Sequence, residues 1–164
     1  MEIIETKVYD FDELSDDAKE KAIEKLYDIN VNYEWFDSIY DDAENVGIKI
    51  ESFDIYRKNI DIKFLKSAPA VAELIVENHG KQCDTRKTAD QFLSDLNELT
   101  GQCEDIEDCP EDKIDDLEKE FKRAIAEDYL SMLSREYDYL TSREGIIETI
   151  EANEYQFTDD GEII

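Results

Sequence analysis

After Pro69 the hydrophobic pattern of the chain turns helical and stays so, and that change limits the folds the chain can adopt. Before Pro69, β-branched residues alternate with polar ones in short runs, as at Ile48 and Ile50 and again at Ile60 and Ile62. A spacing of two is typical of strands. After Pro69, apolar residues recur every third or fourth position, as they do in helices. Strands followed by helices predict an α+β fold, with a small antiparallel β-sheet and several helices packed on it.

Local signals locate the individual elements. Ser15 followed by two aspartates favours a helix start, and Gly47 favours a helix end. The apolar phase shifts between Ile50 and Phe53, which indicates a β-bulge. The predicted elements are a strand at 3–11, a helix after Ser15, a helix at 33–46, strands at 48–55 and 60–64 joined by a turn at Lys58-Asn59, helices at 71–79, 88–100, 110–140 and 142–152, and a closing strand near Phe157.

The domain organisation follows from length and from the absence of linker composition. The chain has 164 residues with only 5 Gly and 2 Pro, and no Pro- or Gly-rich stretch interrupts it. We therefore predict a single domain over residues 1–164. Its predicted parts are a strand, helix and hairpin part at 1–66, a helical part at 67–153 and a closing strand or tail at 154–164.

The net charge excludes several classes of partner. The chain has 45 acidic and 18 basic residues, a formal net charge of −27, while 41% of its residues are hydrophobic, enough for a packed core. A protein with this charge is not expected to bind nucleic acid directly, because it cannot neutralise phosphates. Adhesion to an anionic membrane is disfavoured for the same reason. The acid is concentrated in residues 1–57 and 101–164, whereas the middle is nearly neutral.

Two further observations bear on location. No apolar run approaches the length of a membrane span, and the first residues lack the basic and apolar regions of a signal peptide. We therefore expect a monomeric cytoplasmic protein with no membrane partner. In a reducing compartment the three cysteines would serve packing or metal binding rather than structural disulfides.

The only histidine and all three cysteines fall within 31 residues, as His79, Cys83, Cys103 and Cys109. One imidazole and three thiolates make a complete tetrahedral ligand set for zinc. A closed four-ligand site would be structural, because catalytic zinc keeps an open position. The sequence thus predicts a structural Zn²⁺ site in the helical second half. The alternative is that these are unrelated buried cysteines and a surface histidine.

The predicted helix at 88–100 sets a condition on this site. Cys83 and Cys103 lie beyond its opposite ends, yet one zinc needs their sulfurs within about 4 Å of each other. The chain before the helix must double back, or the helix must be shorter than the pattern suggests. If neither holds, the site fails or the metal is shared between chains.

Carboxylates are densest around the start of the long predicted helix. Ten of the 17 residues from 104 to 120 are acidic. Rows of fixed carboxylates resemble the phosphate spacing of nucleic acid and could occupy a basic nucleic-acid channel. The alternative is a surface that serves solubility alone. The predicted partner-binding residues are Asp112, Asp115, Asp116, Glu118 and Glu120.

Catalytic motifs are absent from the sequence. There is no P-loop, GxGxxG or HExxH pattern, and a Cys–His or Ser–His device would need the sole histidine, which the metal prediction already uses. We therefore predict that the chain is not an enzyme.

Two sets of residues resemble known families. Residues 7–23 read KVYDFDELSDDAKEKAI, and with YDDAEN at 40–45, GIKI at 47–50 and FDI at 53–55 they resemble small acidic proteins encoded by bacteriophages and prophages. The Cys/His set, with the chain's size and acidity, resembles a zinc-containing anti-CRISPR inhibitor of type II effector nucleases. That resemblance implies a non-enzymatic inhibitor in the bacterial host cytoplasm that binds the nuclease directly, with zinc on His79, Cys83, Cys103 and Cys109.

The resemblance and the charge together predict a function. An RNA-guided nuclease keeps a positively charged channel for its nucleic acids, to which this chain would be attracted. The predicted activity is inhibition of a type II CRISPR effector nuclease by blocking target-DNA loading. Two alternatives are a DNA-mimic inhibitor of another host defence, such as a restriction enzyme, and a structural zinc module in phage assembly.

Overall fold

The computed structural model describes residues 1–103 and 109–164. Its elements confirm the α+β class. In chain order they are β1 (Tyr9–Asp10), α1 (Asp16–Lys25), α2 (Asp37–Asn45), β2 (Ile48–Asp54), β3 (Asn59–Phe64), α3 (Ala68–Asn78), α4 (Asp84–Gly101), α5 (Glu111–Leu140), α6 (Arg143–Ala152) and β4 (Gln156–Phe157). The chain divides into two compact units, Met1–Trp35 with Arg135–Ile164, and Phe36–Ser134. In place of one small sheet, the described strands form two antiparallel pairs, β1 with β4 and β2 with β3.

Serine side chains begin three of the helices. The hydroxyl oxygens of Ser15, Ser67 and Ser142 each accept a hydrogen bond from a backbone N–H in the first turn of α1, α3 and α6. Such bonds satisfy amides that the helix itself leaves without a partner. The Ser15 start is the one the sequence predicts. These caps fix where each helix begins and therefore which residues it turns inward.

The first unit has its own core. Phe11 follows β1 in a short 3₁₀ turn and meets Phe157 of β4 edge to face, with ring centroids 6.1 Å apart. Ala18 and Ala22 of α1 and Ile146 and Ile150 of α6 pack on the same cluster. Pairing of Tyr9 with Phe157 and of Asp10 with Gln156 closes the unit, as the predicted closing strand requires.

A buried amide joins the loop after α1 to the turn before α6. Asn30, 4% exposed, donates from Nδ2 to the carbonyl oxygens of Leu140 and Gly145 and accepts from the hydroxyl of Thr149. A Cβ at position 145 would collide with the carbonyl oxygen of Tyr139. Only glycine therefore allows α6 to start so close to the end of α5.

The only tryptophan also lies in this unit. The ring of Trp35 lies 5.7 Å from that of Tyr137, centroid to centroid, in a tilted arrangement. Trp35 is half-buried. An aromatic pair of this kind anchors the end of the first unit's N-terminal segment against α5 residues of the same unit.

The second unit is built on the β2–β3 hairpin. Ile48 pairs with Phe64 and Ile50 with Ile62, and the register shifts between Ile50 and Ser52. The bulge predicted from the sequence is thus confirmed. Ile48 and Ile50 are buried, because alternate residues of β2 face the helices.

Helices α2 to α5 complete the core of the second unit. Val71 and Ile75 of α3, Phe92 of α4, and Phe121 and Ile125 of α5 are all at most 4% exposed and form one cluster with the hairpin residues. Gly47 adopts φ +82°, a left-handed conformation that ends α2 before β2. The predicted helix stop at Gly47 is confirmed.

Two predicted elements are shorter than the pattern suggested. The strand expected at 3–11 reduces to Tyr9–Asp10, because β4 offers only two residues for it to pair with. The helix expected at 33–46 begins at Asp37. In contrast α4 is longer than predicted and begins at Asp84. Within the described parts of the chain, no helix is both long and apolar enough to cross a membrane.

Candidate functional site

The most distinctive surface feature of the second unit is a groove between α4 and α5, which we call the α4–α5 groove. Two adjoining cavities of about 340 and 560 Å³ share Asp95, Leu117 and Glu120 and so form one channel. The first cavity is lined by Lys87 near the start of α4 and by Ala124 of α5, and the second by Gln102 just after α4 and by Lys113 near the start of α5. The two helices therefore run antiparallel along the channel.

The floor of the groove is apolar and continuous with the core. The rings of Phe92 and Phe121 stack with centroids 4.4 Å apart and lie at the bottom of the first cavity. Leu99 and Leu117, both half-buried, continue the floor into the second cavity. Side chains of both helices therefore form the floor of the channel.

The rim carries opposite charges in different places. Asp95 of α4 and Glu120 of α5 lie where the two cavities meet, and Glu98 of α4 and Asp116 of α5 line the second cavity. Of these four acids, only Asp95 is half-buried, and the others are exposed. Lysines mark the two ends, Lys87 at one and Lys113 at the other.

The predicted partner-binding acids divide between two flanks of α5. Asp116 and Glu120 line the groove, and Asp112 falls on the same stripe because residues four apart share a helix face. Asp115 and Glu118 fall on the opposite flank by the same periodicity. All five are exposed except Glu118, which is half-buried: Asp112, Asp115, Asp116, Glu118 and Glu120.

One groove carboxylate is held by a neighbouring base. Arg123 donates to Glu120 and to Glu127, the latter at 2.7 Å. The hydrogen bond from Arg123 lowers the pKa of Glu120. Glu120 therefore keeps its negative charge at the rim. The four acids among residues 104–108, which belong to the predicted acid-rich stretch, lie outside the described residues.

The predicted metal ligands occupy three separate settings. Cys103 and Cys109 are joined as a disulfide, so the expectation that the cysteines form no disulfide is wrong for this pair. Cys83 is a half-buried free thiol at the N-cap of α4. His79 ends α3, and its side chain is 8% exposed.

Both ring nitrogens of His79 have protein partners. Nδ1 lies 2.6 Å from the hydroxyl oxygen of Thr85, and Nε2 lies 3.0 Å from Oδ2 of Asp42. The buried hydroxyl of Tyr129 donates to the same carboxylate at 2.9 Å. We call these four residues the polar network: Asp42, His79, Thr85 and Tyr129. It ties α2, the end of α3, the start of α4 and α5 together inside the second unit.

The arrangement does not fit a tetrahedral zinc site. Helix α4 has 18 residues, so Cys83 and Cys103 at its opposite ends are separated by about 27 Å. Within residues 1–103 and 109–164, no group of three or more His, Cys, Asp or Glu side chains converges as metal ligands would. Zinc on His79, Cys83, Cys103 and Cys109 needs a different arrangement and stays a prediction, and neither the proposed function nor the further inference depends on it.

Sequence reasoning missed the residues that complete both regions. In the sequence, Asp42 cannot be told apart from the many other acids, nor Tyr129 from the other aromatic residues of the helices. Nothing in their spacing links them to His79. Phe92 and Leu117 are expected in the core, but a helical pattern does not say that part of it stays open as a groove.

The comparisons with known proteins find nothing that resembles the chain. No protein-family model, no curated protein and no solved structure matches it.

Proposed function

We propose that this chain is a non-enzymatic inhibitor that binds directly to a basic nucleic-acid-binding surface of another protein. The observation that carries the proposal is the rim of the α4–α5 groove, where Asp95, Glu98, Asp116 and Glu120 surround an apolar floor. The partner we propose is the one that the sequence resemblance implies, a type II RNA-guided DNA endonuclease. Inhibition would follow from occupying the channel into which target DNA loads.

The charge of the chain supports association with such a surface. A net charge of −27 steers a protein towards a basic cleft and raises the rate of encounter. The groove acids add local complementarity, because exposed carboxylates can approach a partner's arginines and lysines with little structural change. Their interaction is screened by salt.

The surroundings of the histidine support a role without catalysis. His79 is nearly enclosed, and both of its ring nitrogens are engaged, by Asp42 and by Thr85. Thr85 is 3% exposed, so its hydroxyl is not presented to a substrate. The arrangement of Asp42, His79 and Thr85 is better suited to holding helices together than to activating a nucleophile.

The direct test is target-DNA cleavage by purified type II nucleases, with this protein added before or after the DNA. We expect inhibition when it is added first and little when it is added second, because loaded DNA already occupies the basic channel. Equal inhibition in both orders would contradict a block at DNA loading. No inhibition across a broad panel would contradict the proposed partner.

Charge-reversal variants test the rim of the groove. Changing Asp95, Glu98, Asp116 and Glu120 to lysine should weaken binding to the inhibited nuclease and flatten its salt dependence. The matched control reverses four exposed acids of the first unit to give the same net charge. The control positions are Glu2, Glu5, Glu24 and Asp28. Equal loss in both variants would mean that net charge alone drives binding.

A competition assay separates the alternative inhibitor function. If the chain is a general DNA mimic, it should displace duplex DNA from several unrelated DNA-binding proteins, restriction enzymes included. Selective displacement from the nuclease supports the proposal, and general displacement supports the alternative.

A further inference from the structure

We propose that the α4–α5 groove binds an amphipathic helix of the partner protein, one whose apolar face carries basic residues along its edges. This inference rests on the proposed function and deepens it, because it names the element of the partner that the acidic rim receives. Helix-in-groove recognition needs an apolar floor, sufficient length and a charge pattern that fixes register. The groove offers all three.

The length of the groove suits a short helix. Its α4 side extends from Lys87 to Gln102, about 22 Å at the helical rise, and its α5 side from Lys113 to Ala124, about 16 Å. A helix of about 11–15 residues covers that distance. A single bound side chain or small molecule would leave most of the channel empty.

The floor offers contacts at helical spacing. Phe92 and Phe121 lie at one end and Leu99 at the other, with Leu117 between them. Apolar side chains three and four positions apart on a docked helix would reach these positions in turn. The stacked rings are buried in the core and give the floor a fixed shape.

The charged residues at the rim of the groove indicate which kind of helix it binds. Asp95 and Glu120 lie at the centre of the groove, Glu98 and Asp116 line its second cavity, and the two lysines lie at its ends. A complementary helix therefore carries Arg or Lys beside its central apolar residues. A second copy of this chain fits poorly, because two molecules of charge −27 repel each other.

The helices that form the groove are braced against each other. The hydroxyl of Thr88 donates to Oδ2 of Asp128 at 2.6 Å, beside the Lys87 end of the groove. This hydrogen bond joins α4 to α5 at that end of the channel. A groove held open in the free protein binds without a large ordering cost.

The experiment uses the full chain and a synthetic peptide as a probe. The peptide is a helix of about 14 residues with Leu at every third or fourth position and Arg or Lys beside them, labelled for fluorescence anisotropy. Two control peptides are a scrambled version without an apolar face and a version with Gln in place of the basic residues. We expect both controls to bind at least about tenfold more weakly than the probe.

Matched variants on the two flanks of α5 locate the binding site. Ala124 lines the groove, whereas Ala126 lines a separate cavity beside β3 on the other flank. Ala124→Trp should fill the groove and weaken probe binding about tenfold or more. Ala126→Trp, which adds the same ring two residues later, should leave it within about twofold. Circular dichroism checks that both variants fold, and Asp116→Lys with Glu120→Lys tests the rim without adding bulk.

Several outcomes would overturn the inference. Unchanged probe binding by folded Ala124→Trp would exclude the groove, and equal binding of the neutral peptide would exclude a basic occupant. A dimer that Ala124→Trp converts to a monomer would identify a second copy as the occupant instead. Inhibition of a nuclease that survives Ala124→Trp but not the acid reversal would exclude the groove while supporting the proposed function. Probe binding at the groove without inhibition of any nuclease would support the groove as a helix-binding site while contradicting the proposed function.

Discussion

Helices α4 and α5 contribute to both the polar network and the α4–α5 groove, but water reaches the two regions differently. In the network, the Tyr129 hydroxyl and the His79 ring are buried and share the carboxylate of Asp42. In the groove, Asp116 and Glu120 stand at an open rim. The same chemical group, a carboxylate, satisfies buried donors in one place and faces solvent in the other.

This difference teaches that the burial of an acid's hydrogen-bond partners, more than residue type, decides what the acid contributes. Removing Asp42 would leave buried hydrogen-bond donors without an acceptor, and an unsatisfied buried donor lowers the free energy of unfolding. Removing a rim acid exposes nothing that was buried, so folding should hardly change. Binding should respond in the opposite way, because the rim acids line the proposed binding site and Asp42 does not.

A bound zinc ion would have the largest effect on the stability of the chain, and it would remove the contrast between the polar network and the groove. The sequence predicts one Zn²⁺ per chain on His79, Cys83, Cys103 and Cys109, and chelation should then lower the melting temperature sharply. A structural zinc site contributes roughly 10–16 kcal/mol of apparent binding free energy. Metal content, thiol titration and melting curves with and without chelator measure it.

The outcome decides how His79 is used. Bound zinc would take His79 from Asp42 and Thr85 and dismantle the polar network. One reactive thiol per chain, together with a melting curve that chelation leaves unchanged, would remove the four residues from the ligand set and leave the network intact.

Phe121→Ala should have the next largest effect, because that ring belongs to the core and also forms the floor of the groove. We expect a loss of about 3–5 kcal/mol in the free energy of unfolding, from urea titration. Phe121→Leu, which fills more of the space, should lose less. Loss of under about 1 kcal/mol for the alanine variant would show that the stacked rings are not part of a tight core.

Asp42→Ala should destabilise the second unit by about 1–3 kcal/mol, because the Tyr129 hydroxyl would lose its acceptor. Asp41→Ala is the matched control, since Asp41 is the adjacent acid and is exposed. We expect the control to stay within about 0.5 kcal/mol of the original chain. Equal effects of the two variants would mean that the network adds nothing beyond ordinary surface charge.

The pH dependence of stability should show the network directly. The hydrogen bond from His79 lowers the pKa of Asp42, against the opposing effect of burial. Because the folded pKa lies below the unfolded value of about 4, this stabilisation is complete above pH 4 and is lost as pH falls through the folded pKa. Burial raises the pKa of Tyr129, so its contribution is complete below a pH of about 10 and is lost above it.

Urea titrations across acid and alkaline pH measure both ends of this window. Asp42→Asn should flatten the acid limb and Tyr129→Phe the alkaline limb. If the curves of unfolding free energy against pH for both variants run parallel to that of the unchanged chain, the titration of neither group is coupled to folding.

The smallest effect on folding should come from the rim. Asp116→Lys is expected to change the free energy of unfolding by no more than about 0.5 kcal/mol, since this side chain is exposed. A stability change as large as that of Asp42→Ala would erase the distinction between the two regions.

Two helix boundaries, the start of α1 after Ser15 and the end of α2 before Gly47, were predicted correctly from the sequence. Ser15 and Gly47 act through local backbone geometry, so their roles can be read from a few residues. The strand at 3–11 was wrong in length because its extent depends on a partner at residues 156–157, far along the chain. Long-range pairing of this kind leaves no local signal.

The candidate site was predicted only in part, for a similar reason. Charge density pointed to α5, and Asp116 and Glu120 do line the groove. The groove itself depends on how far apart two helices pack, which the stacking of Phe92 on Phe121 sets. The histidine was singled out by rarity, but its contact with Asp42, 37 residues away, could not be read from spacing.

The position of Trp35 gives the molecule a built-in optical label. It is the only tryptophan, and it lies in the first unit against Tyr137. Its emission therefore reports the unfolding of that unit alone, whereas a fluorophore attached to Cys83 would report the second unit. Coincident transitions from the two signals would indicate that both units unfold as one cooperative block, and separate transitions would give each unit its own stability.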